Sequence, residues 1–166
     1  WDFFAKNGFL NLGQLLDPAE VTYFHDLFEQ DRKTYPYFWR PYGHHQHANY
    51  DALITTPQFD ELIRHPKILP TIEQLMGGAL CFGEIGLRWM GPYDGQFHQG
   101  WHRDKPHWPE HPLRMDYIQL IVYLSDVTAE THCFSLSAEA FDEPILKDHQ
   151  AQLARGGVYD LHGPAG

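Results

Sequence analysis

The apolar residues of this chain change their spacing once, near residue 79, and that change restricts the possible folds. Before it they recur at helical intervals; after it, short runs of β-branched and aromatic residues are separated by Gly, Pro and Asp. Helices followed by strands, without regular alternation of the two, are typical of an antiparallel sandwich or barrel braced by helices on one side. We therefore predict a mainly β fold, with helices over about residues 1–78 and a jelly-roll barrel over about residues 79–166.

Three helices are expected in the first part. The first begins at Asp17-Pro18, because Asp can cap free backbone N–H groups and Pro suits the first helical turn. A second begins after Pro57, and a third begins near Pro66 and ends at Gly77. Between the first and second helices we expect a long loop.

Four strands are expected in the second part, each bounded by turn-forming residues. They cover Ala79 to Met90, Tyr117 to Val127, Cys133 to Ser137, and Gly157 to His162. The chain has no internal repeat, low-complexity stretch or charge block, which indicates one domain over residues 1–166.

The net charge of −10 limits the partners of the chain. An acidic surface repels nucleic acid and anionic membranes, so we expect a small-molecule substrate and neither of those partners. Cys81 and Cys133 show no Cys-x-x-Cys spacing, which argues against a disulfide framework and a structural zinc site. With no apolar run as long as a membrane span, we expect a soluble cytoplasmic protein.

The segment Trp101-His102-Arg103-Asp104 carries the clearest chemical signal. Residues two apart on an extended strand project from the same face, so the His102 imidazole and the Asp104 carboxylate can converge on one metal ion. A neutral nitrogen and a hard oxygen suit Fe(II) or Mn(II). Taken alone, the pair is also compatible with two exposed, solvated side chains.

Several segments, in the same order along the chain, resemble the phytanoyl-CoA dioxygenase family. The Phe4–Leu10 opening and the Leu15–Glu20 segment are similar to the N-terminus of the family. A glycine-bearing strand at Gly86 to Met90 then leads into the His-x-Asp motif. Tyr117–Thr128 and Thr131–Ser137 are similar to the next two family strands.

The resemblance implies a double-stranded β-helix, the jelly-roll form, that holds Fe(II) and 2-oxoglutarate and uses O2 to hydroxylate a small organic substrate. Succinate and CO2 would be the other products. It assigns His102 and Asp104 as metal ligands and catalytic residues. Because related halogenases have Gly or Ala in place of the carboxylate, Asp104 favours hydroxylation over halogenation.

The resemblance also calls for a distal His as third ligand, followed by an Arg that pairs with the far carboxylate of 2-oxoglutarate. His162 is a candidate for the third ligand, but the Gly163–Gly166 segment favours a His beyond the end of this chain. We expect both ends to be trimmed and the barrel to be incomplete at its C-terminal end, without the Arg. The Ala138–Phe141 segment departs from the Pro-Gly-Ser-His stretch of relatives.

Three further residues are candidates for binding the cosubstrate. Strand alternation puts Tyr117, Gln119, Ile121 and Tyr123 on one face, and this more polar set is expected to line the pocket. Gln119 and Tyr117 can donate hydrogen bonds to a cosubstrate oxygen, and Arg88 can neutralise an acidic ligand. A structural hydrogen bond or a salt bridge is the alternative role for each.

The His44-His45-Gln46-His47 cluster is compatible with a second metal site, or with a lid formed together with the aromatic Tyr35–Pro41 segment.

Two other functions stay open. One is a non-catalytic or truncated jelly-roll binding module. The other is a cupin-type metalloenzyme that does not use 2-oxoglutarate. The acidic chain favours a free small molecule over a CoA ester as substrate, since phosphate groups usually recruit Arg or Lys.

Overall fold

A computed structural model describes residues 1–43, 45–92, 100–102 and 117–166. The chain divides into two units. One unit comprises Trp1–Gly13 and Gln99–Pro164, and the other comprises Gln14–His98 and Ala165–Gly166. We call them the smaller and the larger unit and describe each by itself. His44 and Asp104, both singled out from the sequence, lie outside the described residues.

The described residues contain more helix than strand. The α-helices are α1 (Asp2–Asn7), α2 (Pro18–Thr34), α3 (Ala52–Thr55), α4 (Phe59–Ile63), α5 (Leu69–Met76) and α6 (His149–Gly156), with a 3₁₀ turn at Pro36–Phe38. The strands are β1 (Arg40–Pro41), β2 (Gln46–Asn49), β3 (Leu87–Met90), β4 (Phe134–Leu136) and β5 (Tyr159–Leu161).

In the larger unit, α2 begins where the sequence predicts. The Asp17 carboxylate accepts hydrogen bonds from the backbone N–H groups of Ala19 and Glu20, and the Glu20 side chain accepts one in return from the Asp17 N–H. This reciprocal cap satisfies donors that the first helical turn leaves without partners. Phe24 and Phe28, one turn apart, then face the core.

The second and third predicted helices are confirmed as α4 and α5. Gly77 ends α5 in the left-handed conformation at φ 76°, which favours glycine. The long loop predicted between the first two helices was wrong, because it contains the 3₁₀ turn, β1, β2 and α3.

A three-stranded antiparallel sheet in the order β1-β2-β3 completes the larger unit. Residues paired across neighbouring strands share a face, so His47, Trp89 and Asn49 lie on one side of this sheet. That side packs on α2: the Asn49 amide donates to Asp31, and the Arg32 guanidinium lies 4.6 Å from the Trp89 ring centroid. Arg40, Ala48 and Arg88 share the opposite side.

In the smaller unit, β4 and β5 pair antiparallel, and an isolated bridge joins Val127 to Gly163. These strands confirm the ones predicted near Cys133–Ser137 and Gly157–His162. Helix α6, which the sequence analysis did not predict, is capped by the Asp148 side chain. The segment after β4 pairs with α1, since the Glu139 and Phe141 N–H groups donate to the Asn7 and Ala5 carbonyls.

Two strand predictions need correction. Of the strand predicted over Ala79 to Met90, only Leu87–Met90 forms, and Tyr117 to Asp126 form no strand. An apolar run becomes a strand only where a neighbouring segment pairs with its backbone, and in the second run such pairing is seen at Val127, which bridges to Gly163.

The prediction of a mainly β fold with N-terminal helices and a jelly-roll barrel is confirmed only in part. The described part of the chain is a mixed structure whose antiparallel strands form two small sheets, and these described strands do not close a barrel. None of the described helices is long and apolar enough to span a bilayer.

Candidate functional site

His102 lies at the surface of the smaller unit, and one of its ring nitrogens has a defined role. Its Nδ1 is 2.7 Å from the Gly100 carbonyl oxygen. Because a carbonyl only accepts hydrogen bonds, Nδ1 must carry the proton, which places the lone pair of the neutral ring on Nε2. An imidazole oriented in this way by a backbone carbonyl is typical of metal-binding histidines.

The remaining ligands are not fixed by the geometry. Asp104 lies outside the described residues, and within them no group of three or more His, Cys, Asp or Glu side chains is placed to hold a metal. His162 is exposed and directly follows β5.

His102 contributes to the wall of a cavity of about 170 Å³ within the smaller unit. The wall is formed by β4, α6 and the residues around them. Its apolar part comprises Trp101, Phe134, Leu136, Leu146 and Leu153. Its polar part comprises His102, Ser135, Ser137, Glu139, His149 and Gln152.

Arg155 of α6 contacts the Glu139 side chain of the cavity wall and the nearby Glu143. Its guanidinium contacts the Glu139 carboxylate at 3.2 Å, donates to the Gln152 side-chain oxygen at 2.7 Å and lies 3.3 Å from Glu143. Two carboxylates therefore already neutralise Arg155. The cavity wall keeps neutral hydrogen-bonding groups, since Ser137 and Gln152 are linked to each other and to the backbone.

Tyr117 and Gln119, predicted to contact the cosubstrate, are exposed and do not line this cavity. Tyr123, predicted on the same face, bridges two strands instead. Its hydroxyl donates to the Leu161 carbonyl at 2.9 Å and accepts from the Phe134 N–H at 3.0 Å. Burial raises the pKa of Tyr123.

Arg88, the third residue predicted to bind the cosubstrate, belongs to β3 of the larger unit. Its Nη2 donates to the hydroxyls of Tyr42, at 3.3 Å, and Tyr50, at 3.0 Å. Burial raises the pKa of Tyr50, a hydrogen bond with Tyr42 raises it further, and Arg88 acts in the opposite direction.

The described residues of the histidine cluster lie in the turn before β2 and in β2 itself. His45 has a φ of 63°, and His47 is in β2 with its ring 5.8 Å from that of Trp89. Packing against Trp89 gives His47 a structural role, and a second metal site stays a prediction.

The sequence analysis missed the cavity-lining residues of α6, His149 and Gln152, because it did not predict this helix. The signals were present: Asp148 can cap a helix and Gly157 can end one. Ser135 and Ser137 lie in the strand predicted over Cys133 to Ser137, where alternation alone does not tell a cavity wall from a solvent face.

A family model described as phytanoyl-CoA dioxygenase (PhyH) matches residues 4–138, which is more than half of the chain. No curated protein matches the chain, and no solved structure matches it either.

Proposed function

This chain belongs to the phytanoyl-CoA dioxygenase family, and on that premise we propose that it is an Fe(II)- and 2-oxoglutarate-dependent dioxygenase that hydroxylates a small organic substrate. Succinate and CO2 would be the products of the cosubstrate. The chain would form the jelly-roll fold of this family.

The orientation of the His102 ring carries this proposal. The hydrogen bond to Gly100 favours the tautomer whose lone pair is on Nε2, the atom that would coordinate a divalent metal. With Asp104 two residues later, the donor set is one nitrogen and one hard oxygen, which fits Fe(II). The third ligand would be His162 or a histidine after Gly166.

When bound, the iron would activate O2 with electrons from 2-oxoglutarate. The residues of the chain would bind and orient the reactants. Asp104 keeps a carboxylate at the position where halogenases have Gly or Ala, which supports hydroxylation.

The cavity wall suits a small reactant. Its aromatic and leucine side chains can exclude water from one side, while Ser135, Ser137 and Gln152 can hydrogen-bond to polar substrate atoms. A volume of about 170 Å³ lies below the range of about 300–1,000 Å³ that is usual for ligand pockets. This volume favours a free small molecule over a CoA ester.

Cosubstrate contacts from Gln119 and Tyr117 belong to the same proposal. Both are exposed in the smaller unit, and both side chains can donate a hydrogen bond to a carboxylate. Arg88 also stays a candidate for an acidic ligand.

The decisive experiment is calorimetric titration of 2-oxoglutarate into anaerobic, Fe(II)-loaded protein, followed by measurement of succinate after O2 is admitted. His102→Ala and Asp104→Ala should abolish both binding and succinate formation, because each removes a metal ligand. His132→Ala is the matched control, since this exposed histidine of the smaller unit does not line the cavity.

Persistent succinate formation by Asp104→Ala would refute the role given to this residue. Absence of 2-oxoglutarate binding by the Fe(II)-loaded protein would overturn the proposal. A bound metal without keto-acid binding would then favour a cupin-type metalloenzyme, and absence of both would favour a binding module.

A further inference from the structure

The arginines of the described chain fall into two groups. Three of them pair with carboxylates, whereas Arg40 and Arg88 have no carboxylate of a described residue within salt-bridge distance. The three pairs are Arg32 with Glu29, Arg64 with Asp60, and Arg155 with Glu139. The positions of Arg40 and Arg88 in the three-stranded sheet set them apart from the other three.

Arg40 and Arg88 lie on the same side of the three-stranded sheet. Both are in register with Ala48 of the central strand, one on each side of it. Neighbouring strands are about 4.8 Å apart, so the two backbones are separated by about 10 Å, with the buried Ala48 between them. Arginine side chains are long enough to reach one ligand from the two sides of Ala48.

Tyrosines from the ends of β1 and β2 hold the Arg88 guanidinium in place. Its Nη2 donates to both Tyr42 and Tyr50, and its carbon lies 4.5 Å from the centre of the Tyr42 ring. Gly86 makes room for this arrangement, since a Cβ there would lie 2.8 Å from the Tyr50 ring. The guanidinium is thus oriented in advance, which lowers the entropic cost of binding a ligand.

The same contacts determine which ligands the two arginines and the two tyrosines can bind. A phenol that accepts a hydrogen bond from Arg88 keeps its own proton for donation. The hydrogen bond between Tyr50 and Tyr42 uses one of the two phenol protons, so the pair can contribute one donor, and the two guanidiniums contribute more donors together with positive charge. A cluster of donors and positive charge fits an oxyanion, and Arg is the side chain best suited to bind its oxygens in pairs.

We propose that Arg40, Tyr42, Tyr50 and Arg88 form a binding site for an oxyanion group, a carboxylate or a phosphate, of a small-molecule ligand. We call these four residues the arginine face. Binding at the arginine face is separate from iron binding by His102.

The test is calorimetric titration of the metal-free protein at low ionic strength with two probes, inorganic phosphate and glutarate. At least one probe should bind, and Arg40→Ala and Arg88→Ala should each weaken binding by about tenfold or more. Arg64→Ala is the matched control, because it removes the same charge from an exposed side chain at the C-terminal end of α4, in the same unit. Thermal unfolding of each variant shows that it is folded.

Arg40 lies in an exposed strand at the sheet edge, so its replacement tests the site even where Arg88→Ala lowers stability. The stronger probe shows whether the ligand group is a carboxylate or a phosphate. The proposal is overturned if neither probe binds, or if Arg64→Ala weakens binding as much as the other two variants. It is also overturned if His102→Ala abolishes binding, because the probe would then report on the iron site. Failure of 2-oxoglutarate turnover leaves these results unchanged, so the two proposals can fail separately.

Discussion

Trp39 donates its indole N–H to the carboxylate of Asp31 over 2.7 Å, and both side chains are buried in the larger unit. The same carboxylate accepts from the Asn49 amide at 2.9 Å and from the Thr56 hydroxyl at 2.6 Å. One acidic side chain thus joins α2, β2 and the segments that follow the 3₁₀ turn and α3. Neutral donors, not a cation, satisfy it in the described structure.

Replacing Asp31 by Ala should strongly destabilise the protein. Three buried donors would lose their acceptor, and each donor left without a partner costs about 1–3 kcal/mol. Allowing for relaxation, we expect the free energy of unfolding to fall by about 3–5 kcal/mol. Urea denaturation followed by tryptophan fluorescence measures the change.

Asp26→Ala is the control for this variant, because Asp26 is on the same helix with its side chain 76% exposed. Its unfolding free energy should change by no more than about 0.5 kcal/mol. Equal losses in the two variants would mean that the buried hydrogen bonds of Asp31 contribute little.

Glu20 should make stability depend on acid pH. The hydrogen bond from the Asp17 N–H, followed by that from His65, lowers the pKa of Glu20 below its usual value. The pKa of this carboxyl is about 4.3 in the unfolded chain and lower in the folded protein, so its ionisation stabilises the folded state at any pH above about 4.3. This contribution is lost as the pH falls through the pKa of the folded state. The stability advantage of the wild type over Glu20→Gln should therefore shrink below about pH 4.3.

Thermal unfolding of both proteins between about pH 7 and pH 3 tests this expectation. Glutamine keeps an oxygen that can accept the capping hydrogen bond, so the comparison isolates the charge. A difference between the two proteins that stays constant over this range would show that Glu20 ionisation is not linked to folding.

Local signals in the sequence allowed the start of α2 and the end of α5 to be predicted. Asp17 can cap a helix through its own side chain, and Gly77 can end one because it tolerates positive φ, so neither needs a distant partner. The β1–β2 hairpin depends instead on pairing between β2 and β3, about forty residues apart, which composition does not encode. The strand predicted from Tyr117 fails for the same reason.

The sequence also predicted one part of the candidate site and missed the parts that depend on the fold. The His-x-Asp spacing singled out His102, and the structure adds the Gly100 hydrogen bond that selects its tautomer. The cavity wall depends on how α6 packs beside β4, so sequence alternation did not find it. The arginine face depends on strand register, which the sequence does not specify before β1 and β2 are recognised.

The hydrogen bonds of Gln152 should stabilise the folded smaller unit. It is buried, its amide donates to the Ala138 carbonyl at 2.9 Å, and its oxygen accepts from Arg155. Gln152→Leu removes both bonds and should lower the unfolding free energy by about 1–3 kcal/mol. Gln150→Leu, at an exposed position of the same helix, is the control in urea denaturation. A loss no larger than that of the control would contradict this role.

Gly86→Ala should disturb the arginine face by displacing the Tyr50 ring. The new Cβ would lie 2.8 Å from a Tyr50 ring carbon, so the ring must move, and with it the hydroxyl that accepts from Arg88 at 3.0 Å. We expect a loss of about 1–3 kcal/mol of unfolding free energy from overpacking, together with weaker binding of whichever probe, phosphate or glutarate, the wild type binds.

Gly83→Ala is matched in chemistry and sequence neighbourhood, but nothing lies within 4 Å of its added Cβ. It should keep wild-type binding and be neutral or slightly stabilising, because alanine restricts the unfolded chain. If Gly86→Ala moved Tyr50 yet left probe binding unchanged, the tyrosine would not be needed to orient Arg88, and the site would reduce to the two arginines.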